Sequence, residues 1–310
     1  MTALTTRTST RPTPMLFSRQ RQLLQLLDAL GGTSSMLDFQ KLLFLFCQES
    51  PADQAPYQFV PYKFGAFSFT CYADRRKLIE RGLLDDGDGW KITAEGRKVT
   101  ARTLDMQFAA FASRHSNLYG DALVADTYRR FPFFAIRSEI AERVLKGDDA
   151  ALDRIRAVRS NTIGAALSTI GYEGHSLESY LTLLLKSGVT LLCDVRRNPI
   201  SRKYGFSKNT LSRGCEGVGI RYEHLPELGI ASEQRRSLNT QADYDALFAD
   251  YERTWLPRQS EPLKRIQAWI DAGECVTLTC YEHLPNQCHR HCVAEVLQAQ
   301  TGKDLTAQHL

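Results

Sequence analysis

Residues 168–207 read STIGYEGHSLESYLTLLLKSGVTLLCDVRRNPISRKYGFS, and this stretch decides the fold of the C-terminal half. It contains a short apolar run, a glycine turn, a run with leucines at helical spacing and a second apolar run. Ser176 suits the N-cap of the helix and Gly188 suits its end. Val189–Val195 has the nearly continuous apolar character of a strand that is buried on both faces. The stretch therefore predicts a βαβ unit of a parallel sheet.

Polar side chains collect where the two strands of this unit end. Loops at the carboxyl ends of parallel strands carry the functional groups of α/β domains. Asp194 ends the second strand with several cations close behind it, which suits chemistry on an anionic substrate. The alternative is that Asp194 caps a loop and that the arginines are solvated. The candidate site residues in these two loops are Tyr172, Glu173, His175, Asp194, Arg196, Arg197, Ser201, Arg202 and Lys203.

Length and composition describe an ordinary globular protein. The 310 residues are enough for two modest domains, and contents of 43% hydrophobic and 24% charged residues are typical of folded chains. The net charge of +4 permits a nucleic-acid partner without demanding one. Eight scattered cysteines and the lack of a signal peptide predict a cytoplasmic location, and the absence of a long apolar run predicts no membrane partner. Residues 1–17 read as a disordered leader, with a transit peptide as the alternative.

Residues 18–100 show the order of elements that winged-helix domains share, namely three helices followed by a hairpin. Amphipathic runs predict helices at 18–30, in MLDFQKLLFLFCQE and from about Thr70 to Arg81, and Trp90–Thr93 reads as the second strand of the hairpin. The sequence thus predicts a Rossmann-like, mainly parallel α/β domain preceded by a winged-helix α+β domain. The predicted domains are the leader at 1–17, a winged-helix-like domain at 18–100, a helical bridge at 101–160 and an α/β catalytic domain at 161–310.

The runs KLLFLFCQE, FVPYKFGAFS, RRKLIERGLL and WKITAEGRK resemble the winged-helix-type domains of the Panacea antitoxin group, over about residues 18–100. This resemblance implies binding of a macromolecule, either DNA or a protein. If the partner is DNA, cations on the helix before the wing and around the wing supply phosphate contacts. The alternative is that these charges only solvate a helix. The cations are Arg75, Arg76, Lys77, Arg81, Lys91, Arg97 and Lys98.

A second group of reactive residues follows the predicted central strand Cys275–Cys280, in the run YEHLPNQCHRHCVAEVLQAQ. Cys288, His289 and Arg290 stand at the start of a helix, whose N-terminus favours a bound anion or a thiolate. Three interpretations are open: Cys288 as a nucleophile, a zinc site, or an acid/base group of carboxylates at neighbouring strand ends. The zinc ligands would be Cys280, Cys288, His291 and Cys292, and the carboxylates are Glu173, Asp194 and Glu282.

The spacing of these cysteines is irregular, which argues against zinc. We therefore favour the carboxylates as the catalytic groups, with Cys288 and His289 positioning Arg290 to grip a phosphate. This interpretation needs neither a metal nor another cofactor.

Four separated motifs, TIGYEGHSLESYL, LLCDVRRNPISRKYGFSK, YEHLPELG and CYEHLPNQCHRHCVAEVL, resemble the domain-of-unknown-function family numbered 488. They occur in that family's order and cover about residues 166–310. The closing run KDLTAQHL is similar to the family's last strand. The resemblance implies an α/β Rossmann-like domain and no particular reaction, because the family is named for lacking one.

The predicted pocket combines cations with carboxylates, and it follows a predicted winged-helix domain that could bind DNA. Together these features predict an enzyme that acts on DNA. A carboxylate can stabilise an oxocarbenium ion at a sugar C1′, and Tyr172 or Tyr281 can stack on a base turned out of its helix. The sequence therefore favours a metal-independent DNA glycosylase that excises damaged or modified bases, in DNA repair or phage defence. A nuclease and a DNA-binding regulator that senses a nucleotide are the alternatives. DNA is the expected partner, and a homodimer formed through the front domain is left open.

Overall fold

A computed structural model of the protein describes residues 15–101, 105–160, 164–235, 238–301 and 305–310. Most of the predicted leader, residues 1–14, lies outside these ranges. The described chain forms two compact units. The first contains the described residues up to Met36 together with Asp74–Ser116, and the second contains Leu37–Ala73 together with Asn117–Leu310.

Strands and helices of the described chain mostly alternate in the C-terminal half, where the strands Arg221–His224 and Val276–Cys280 are separated by two α-helices. The helices are α1 (Ser18–Ala29), α2 (Met36–Glu49), α3 (Phe69–Glu80), α4 (Ala94–Thr100), α5 (Met106–His115), α6 (Gly120–Arg130), α7 (Ala141–Val144), α8 (Asp149–Ser160), α9 (Leu177–Lys186), α10 (Lys208–Gly217), α11 (Gln241–Asp250), α12 (Ser260–Asp271) and α13 (Arg290–Thr301). The strands are β1 (Thr33–Ser35), β2 (Val60–Tyr62), β3 (Gly65–Phe67), β4 (Gly89–Lys91), β5 (Leu167–Gly171), β6 (Leu191–Asp194), β7 (Arg221–His224), β8 (Val276–Cys280) and β9 (Ala307–His309). Within the described ranges, no helix combines the length and the apolar character that crossing a lipid bilayer requires.

The first unit is helical and has small antiparallel pairings. Leu23, Leu24, Leu26 and Leu27 are buried on α1, which packs against α4 and α5. The helices predicted at 18–30 and near Thr70–Arg81 are confirmed as α1 and α3. The predicted hairpin is present as a short pairing: Leu84 bridges Ile92, the Asp85 N–H donates to the Lys91 carbonyl oxygen at 2.9 Å, and the Thr93 N–H donates to the Leu83 carbonyl oxygen at 3.1 Å. On its other edge β4 pairs with β1, a strand that sequence analysis missed.

The second unit begins with α2, whose bounds match the predicted helix, and with a hairpin of β2 and β3. Glu178, in the first turn of α9, is fully buried and holds residues 68–70, the segment that follows this hairpin. Its carboxylate accepts hydrogen bonds from the Thr70 backbone N–H at 2.7 Å and from the Ser68 and Thr70 hydroxyls, each at 3.1 Å. A buried carboxylate requires such donors, so residues 68–70 are part of the packing of α9.

A five-stranded parallel sheet forms the centre of the second unit, in the order β7-β6-β8-β5-β9. The predicted βαβ unit of β5, α9 and β6 is confirmed, and β8 lies between its two strands. Helices α9 and α10 cover one face of the sheet, and α11, α12 and α13 cover the other. Because both faces are covered, the strands β5, β6 and β8 are buried along their whole length. The domain is Rossmann-like, as the sequence predicts.

Candidate functional site

A cavity of about 380 Å³ opens at the carboxyl ends of β5, β6 and β8. This volume falls in the lower part of the ~300–1,000 Å³ range of small-molecule pockets. The cavity lies where the connections of a parallel sheet place functional loops. The predicted site residues that line it are Tyr172, Arg196, Arg197, Tyr281, Glu282 and His289.

Glu282 is the carboxylate that lines this cavity. It is 8% exposed and forms an ion pair with Arg235, a second lining residue that sequence analysis missed. Buried Arg290 donates hydrogen bonds to the carbonyl oxygens of Glu282 and His283 and so fixes the loop that carries the carboxylate. Gly171 at the end of β5 allows the close approach of this loop, because a Cβ atom there would lie 1.8 Å from the Glu282 carbonyl oxygen. The ion pair with Arg235, the hydrogen bonds from Arg290 and the close approach at Gly171 therefore together fix the position of Glu282.

Two thiols and an imidazole lie next to Glu282. Cys280, Cys288 and His289 are buried, and their Sγ and ring nitrogen atoms lie within 4.8 Å of one another. The His289 Nε2 donates to the Val195 carbonyl oxygen at 3.0 Å, and this contact turns Nδ1 toward Cys280 Sγ, 3.8 Å away. Cys280 Sγ is also 3.7 Å from Glu282 Oε2.

The two thiols differ in acidity. The Cys288 thiol donates a hydrogen bond to Cys280, and together with the nearby charges of His289 and Arg235 it holds the pKa of Cys280 well below its usual range. Burial raises the pKa of Cys288 well above its usual range. Cys280 therefore has the electronic character of a reactive or metal-binding sulfur.

The four residues considered as zinc ligands from the sequence fall into two groups. Cys280 and Cys288 lie together, with His289 as the third group of the cluster. His291 and Cys292 lie with Glu252 instead, and the Nδ1 atom of His291 is engaged with the Cys288 carbonyl oxygen at 2.7 Å. The sequence could not separate the two groups, because a helix that begins at Arg290 points successive side chains in different directions.

Asp194 does not line the cavity. It is fully buried, and its Oδ1 atom accepts from the Arg196 backbone N–H at 3.1 Å and from Nε at 2.8 Å. Its Oδ2 atom accepts from Arg196 Nη2 at 2.5 Å and from the Tyr222 hydroxyl at 2.6 Å. Burial and the Asp194 charge both raise the pKa of Tyr222, which keeps this phenol protonated as a donor. Both carboxylate oxygens are thus engaged in holding neighbouring side chains.

Arg196 is the residue that this arrangement positions. Its Nη1 atom donates to the Tyr172 hydroxyl at 3.1 Å and to the Phe206 carbonyl oxygen at 2.8 Å. The Tyr172 ring stacks on the Phe206 ring at 4.4 Å and meets the Tyr281 ring edge-on at 5.3 Å. The rings of Tyr172 and Tyr281 form the aromatic wall of the cavity, and Phe206 supports this wall through its stacking on Tyr172. Asp194 therefore positions Arg196, and Arg196 in turn holds Tyr172 in this wall.

The other predicted site residues lie outside the cavity lining. Glu173 is exposed and accepts a hydrogen bond from the His283 backbone N–H at 2.9 Å. His175 is half-buried, and burial, followed by the charges of Lys203 and His283, lowers its pKa. The Lys203 Nζ atom donates a hydrogen bond to the Tyr172 carbonyl oxygen at 3.2 Å. The remaining predicted site residues outside the lining are Ser201, which is half-buried, Arg202, which is exposed, and Cys288 and Arg290, which are buried.

The cations predicted to contact DNA all lie in the first unit, and several of them have intramolecular partners. Arg75 donates to the carbonyl oxygens of Gly87 and Gly89 and stacks on Trp90. Ion pairs join Lys91 to Asp85, Arg97 to Asp28 and Lys98 to Glu95. The other members are Arg76 and Lys77, which are exposed on α3, and half-buried Arg81.

Residues 176–297 match the family model described as "Domain of unknown function DUF488". The resemblance of the C-terminal half is thereby confirmed for these residues, which form a DUF488 domain. The match includes Arg196, Arg235, Cys280, Glu282 and His289, and hence most of the cavity. No curated protein and no solved structure matches the chain. The comparisons give no support to the resemblance of residues 18–100 to Panacea-type domains.

Proposed function

We propose that the protein is a DNA-acting hydrolase that removes a base by cleaving its N-glycosidic bond. The observation that carries this proposal is the position of Glu282, a carboxylate at the edge of a small cavity with aromatic and cationic walls. In this reaction water adds across the bond, with its hydroxyl group going to the sugar C1′ and its proton to the departing base. An ionised carboxylate stabilises the positive charge that develops at C1′, so we assign this role to Glu282.

The surrounding residues suit a base that has been turned out of a nucleic-acid strand. Tyr281 is 43% exposed, and its ring stands at 71° to that of Tyr172, so one ring can stack on a base while the other closes the side of the cavity. Arg197 is exposed and offers a planar donor to a backbone phosphate. In this proposal Asp194 positions Arg196 and is not itself the group that meets the substrate.

We further propose that this activity takes place in the cytoplasm and that the first unit supplies contacts to DNA. All eight cysteines are free thiols, which a reducing compartment preserves. Arg76 and Lys77 are neighbouring exposed cations on α3 and are suited to phosphate contacts.

A regulator that senses a nucleotide is the second candidate, and the Arg235–Glu282 ion pair favours it. An anionic ligand can displace Glu282 as the partner of Arg235 and so change the shape of the cavity mouth. Such a ligand would be bound and released unchanged.

The two candidates are separated by incubating the full chain with labelled single-stranded and duplex oligonucleotides that carry modified bases. Half of each sample is then heated in alkali, which breaks the strand at abasic sites. We expect breaks only after alkali, and we expect Glu282→Gln to lower their rate by roughly 10²-fold or more. Glu261→Gln, an exposed carboxylate on α12, is the matched control and should behave as the wild type.

Two other results contradict the glycosylase. Breaks that form without alkali and require added Mg²⁺ indicate a nuclease. The absence of any break, together with a mobility shift that a nucleotide reverses, indicates the regulator.

A further inference from the structure

We propose that Cys280, Cys288 and His289 bind a zinc ion whose fourth coordination position opens into the cavity. Two thiolates and one imidazole form a ligand set that favours zinc, because magnesium and calcium prefer oxygen ligands. The proposal concerns metal binding and does not rest on the proposed hydrolysis. It departs from the expectation, drawn from the sequence, that the site needs no metal.

The separations of the ligand atoms are close to those of a tetrahedral zinc site. With Zn–S and Zn–N distances of ~2.3 and ~2.1 Å, neighbouring sulfur and nitrogen ligands lie about 3.6 Å apart. Cys280 Sγ and His289 Nδ1 are 3.8 Å apart, and the ligand atoms of all three residues lie within 4.8 Å of one another. Shifts of about an ångström or less, within the reach of small side-chain rotations, therefore complete the site.

The imidazole is oriented for metal binding by its second nitrogen. Ligating histidines almost always donate their other ring N–H to a carboxylate, a backbone carbonyl or a water. The 3.0 Å contact of His289 Nε2 with the Val195 carbonyl oxygen is such a partner, and it directs Nδ1 toward the thiols. This orientation is an observation independent of the sulfur positions.

The backbone around the ligands is held firmly. Cys280 ends the central strand β8, whose neighbours on both sides are β5 and β6. Cys288 follows the turn Pro285–Gln287, and its N–H donates to the Pro285 carbonyl oxygen at 3.0 Å. A site whose ligands are already positioned binds its metal with little loss of conformational entropy.

Charge balance also favours a dication here. Cys280 and Cys288 are fully buried and His289 is 2% exposed, so ionising both thiols without a cation would be costly. Two thiolates, a neutral imidazole and Zn²⁺ sum to zero, and the adjoining Arg235–Glu282 pair is also neutral. With both thiols deprotonated, the site is therefore electrically neutral when a dication is bound and carries two uncompensated negative charges without one.

The fourth position distinguishes this site from a structural zinc. Structural sites have four protein ligands, whereas catalytic sites have three and leave one position for water or substrate. Cys280 and His289 line the cavity, and Glu282 Oε2 is 3.7 Å from Cys280 Sγ. Glu282 is therefore near enough to accept a hydrogen bond from a water molecule in that position.

The test measures metal content on the full chain, purified under reducing conditions, by mass spectrometry of the eluted metal. We expect about one zinc ion per chain, and its loss in Cys280→Ser, Cys288→Ser and His289→Gln. Cys275→Ser, at the residue before the start of β8, and Cys292→Ser, in the group with His291, should retain the metal. Far-UV circular dichroism of each variant reports whether it has folded.

A second measurement avoids dependence on variants that fail to fold. Cobalt(II) is added to the metal-free wild-type chain, and its absorption spectrum is recorded. We expect thiolate-to-cobalt charge-transfer bands and the intense visible bands of tetrahedral cobalt, both abolished by one equivalent of zinc. A wild-type chain that binds neither metal, or a zinc ion that is lost from Cys292→Ser and kept by Cys280→Ser, would overturn the proposal.

Discussion

Asp194 and Arg196, two positions apart on the chain, meet through two side-chain hydrogen bonds, from Nε to Oδ1 at 2.8 Å and from Nη2 to Oδ2 at 2.5 Å. Asp194 is fully buried and Arg196 is 6% exposed, so little of either charged group can be solvated. The pair joins the end of β6 to the aromatic wall of the cavity.

Asp194→Asn is expected to lower the free energy of unfolding by about 3–5 kcal/mol, because it leaves the Arg196 guanidinium buried without a counter-charge. Urea unfolding followed by circular dichroism measures the change, with the exposed Asp250→Asn as the control. A variant that keeps wild-type stability yet loses all turnover would instead make Asp194 a group that acts directly on the substrate.

Gly171→Ala is expected to displace the loop that carries Glu282, since the added Cβ atom would lie 1.8 Å from the Glu282 carbonyl oxygen. We expect a loss of about 1–3 kcal/mol in stability and a fall in whatever activity depends on Glu282. Gly87→Ala is the control, because a Cβ atom there meets nothing within 4 Å. An active, fully stable Gly171→Ala protein would show that the loop tolerates movement.

Lys41 predicts a pH dependence of stability. It is 1% exposed with its Nζ atom 3.0 Å from the Ala66 carbonyl oxygen, and burial lowers its pKa to about 7. In the unfolded chain a lysine has a pKa of ~10.4, so between about pH 7 and 10.4 the unfolded state binds a proton that the folded state does not. The stability contributed by this residue therefore rises with pH across this window, by on the order of 4 kcal/mol, and is constant below it.

The measurement is the difference in urea midpoint between the wild type and Lys41→Met as the pH is raised from 7 to 10. We expect Lys41→Met to be the more stable protein near pH 7 and to lose this advantage as the pH rises. The exposed Lys63→Met is the control. Parallel curves for wild type and Lys41→Met would mean that Lys41 stays charged in the folded protein.

Glu178→Ala is expected to cost about 3 kcal/mol of stability, because the Thr70 backbone N–H and the Ser68 hydroxyl would lose a charged acceptor in a buried place. Limited proteolysis should then cleave the segment of residues 60–73 faster than in the wild type. The exposed Glu216→Ala is the control. Unchanged stability of Glu178→Ala would mean that water replaces the lost acceptor.

The cations of the first unit predict two different phenotypes. Arg76→Ala and Lys77→Ala should each reduce the slope of log affinity for DNA against log salt concentration by about one, if each meets a phosphate. Arg75→Ala should mainly lower the melting temperature, because Arg75 holds the turn at Gly87 and Gly89. The slopes come from DNA titrations at several salt concentrations, and equal slopes for all three variants would contradict a phosphate role for Arg76 and Lys77.

Much of the fold follows from local patterns in the sequence. Helical spacing of leucines and the cap at Ser176 predict α9, and continuous apolar runs predict β6 and β8. The hairpin of β2 and β3 was missed, because VPY and GAF are too short for a periodic signal and Pro61 argues against a strand. Strand order cannot be read from periodicity, so the place of β8 between β5 and β6 came only from the structure.

The candidate site was predictable at the level of strand ends and not at the level of contacts. Asp194 and Glu282 have similar sequence surroundings, yet one is closed off by Arg196 and Tyr222 and the other lines the cavity. Arg235 has no motif around it, and its role depends on an ion pair with a distant segment. Long-range pairings of this kind leave no local trace in the sequence.

The central position of β8 also determines when the strands of the sheet can pair during synthesis. The Ser168 hydroxyl on β5 meets the Thr277 hydroxyl on β8 across 109 residues of sequence, and Thr169 meets His309 across 140. A nascent chain that ends before Val276 can pair β6 with β7 but leaves β5 as a separate apolar strand with two open edges. The sheet is therefore assembled only after β8 has been synthesised, and until then its exposed strands are targets for chaperones and for aggregation.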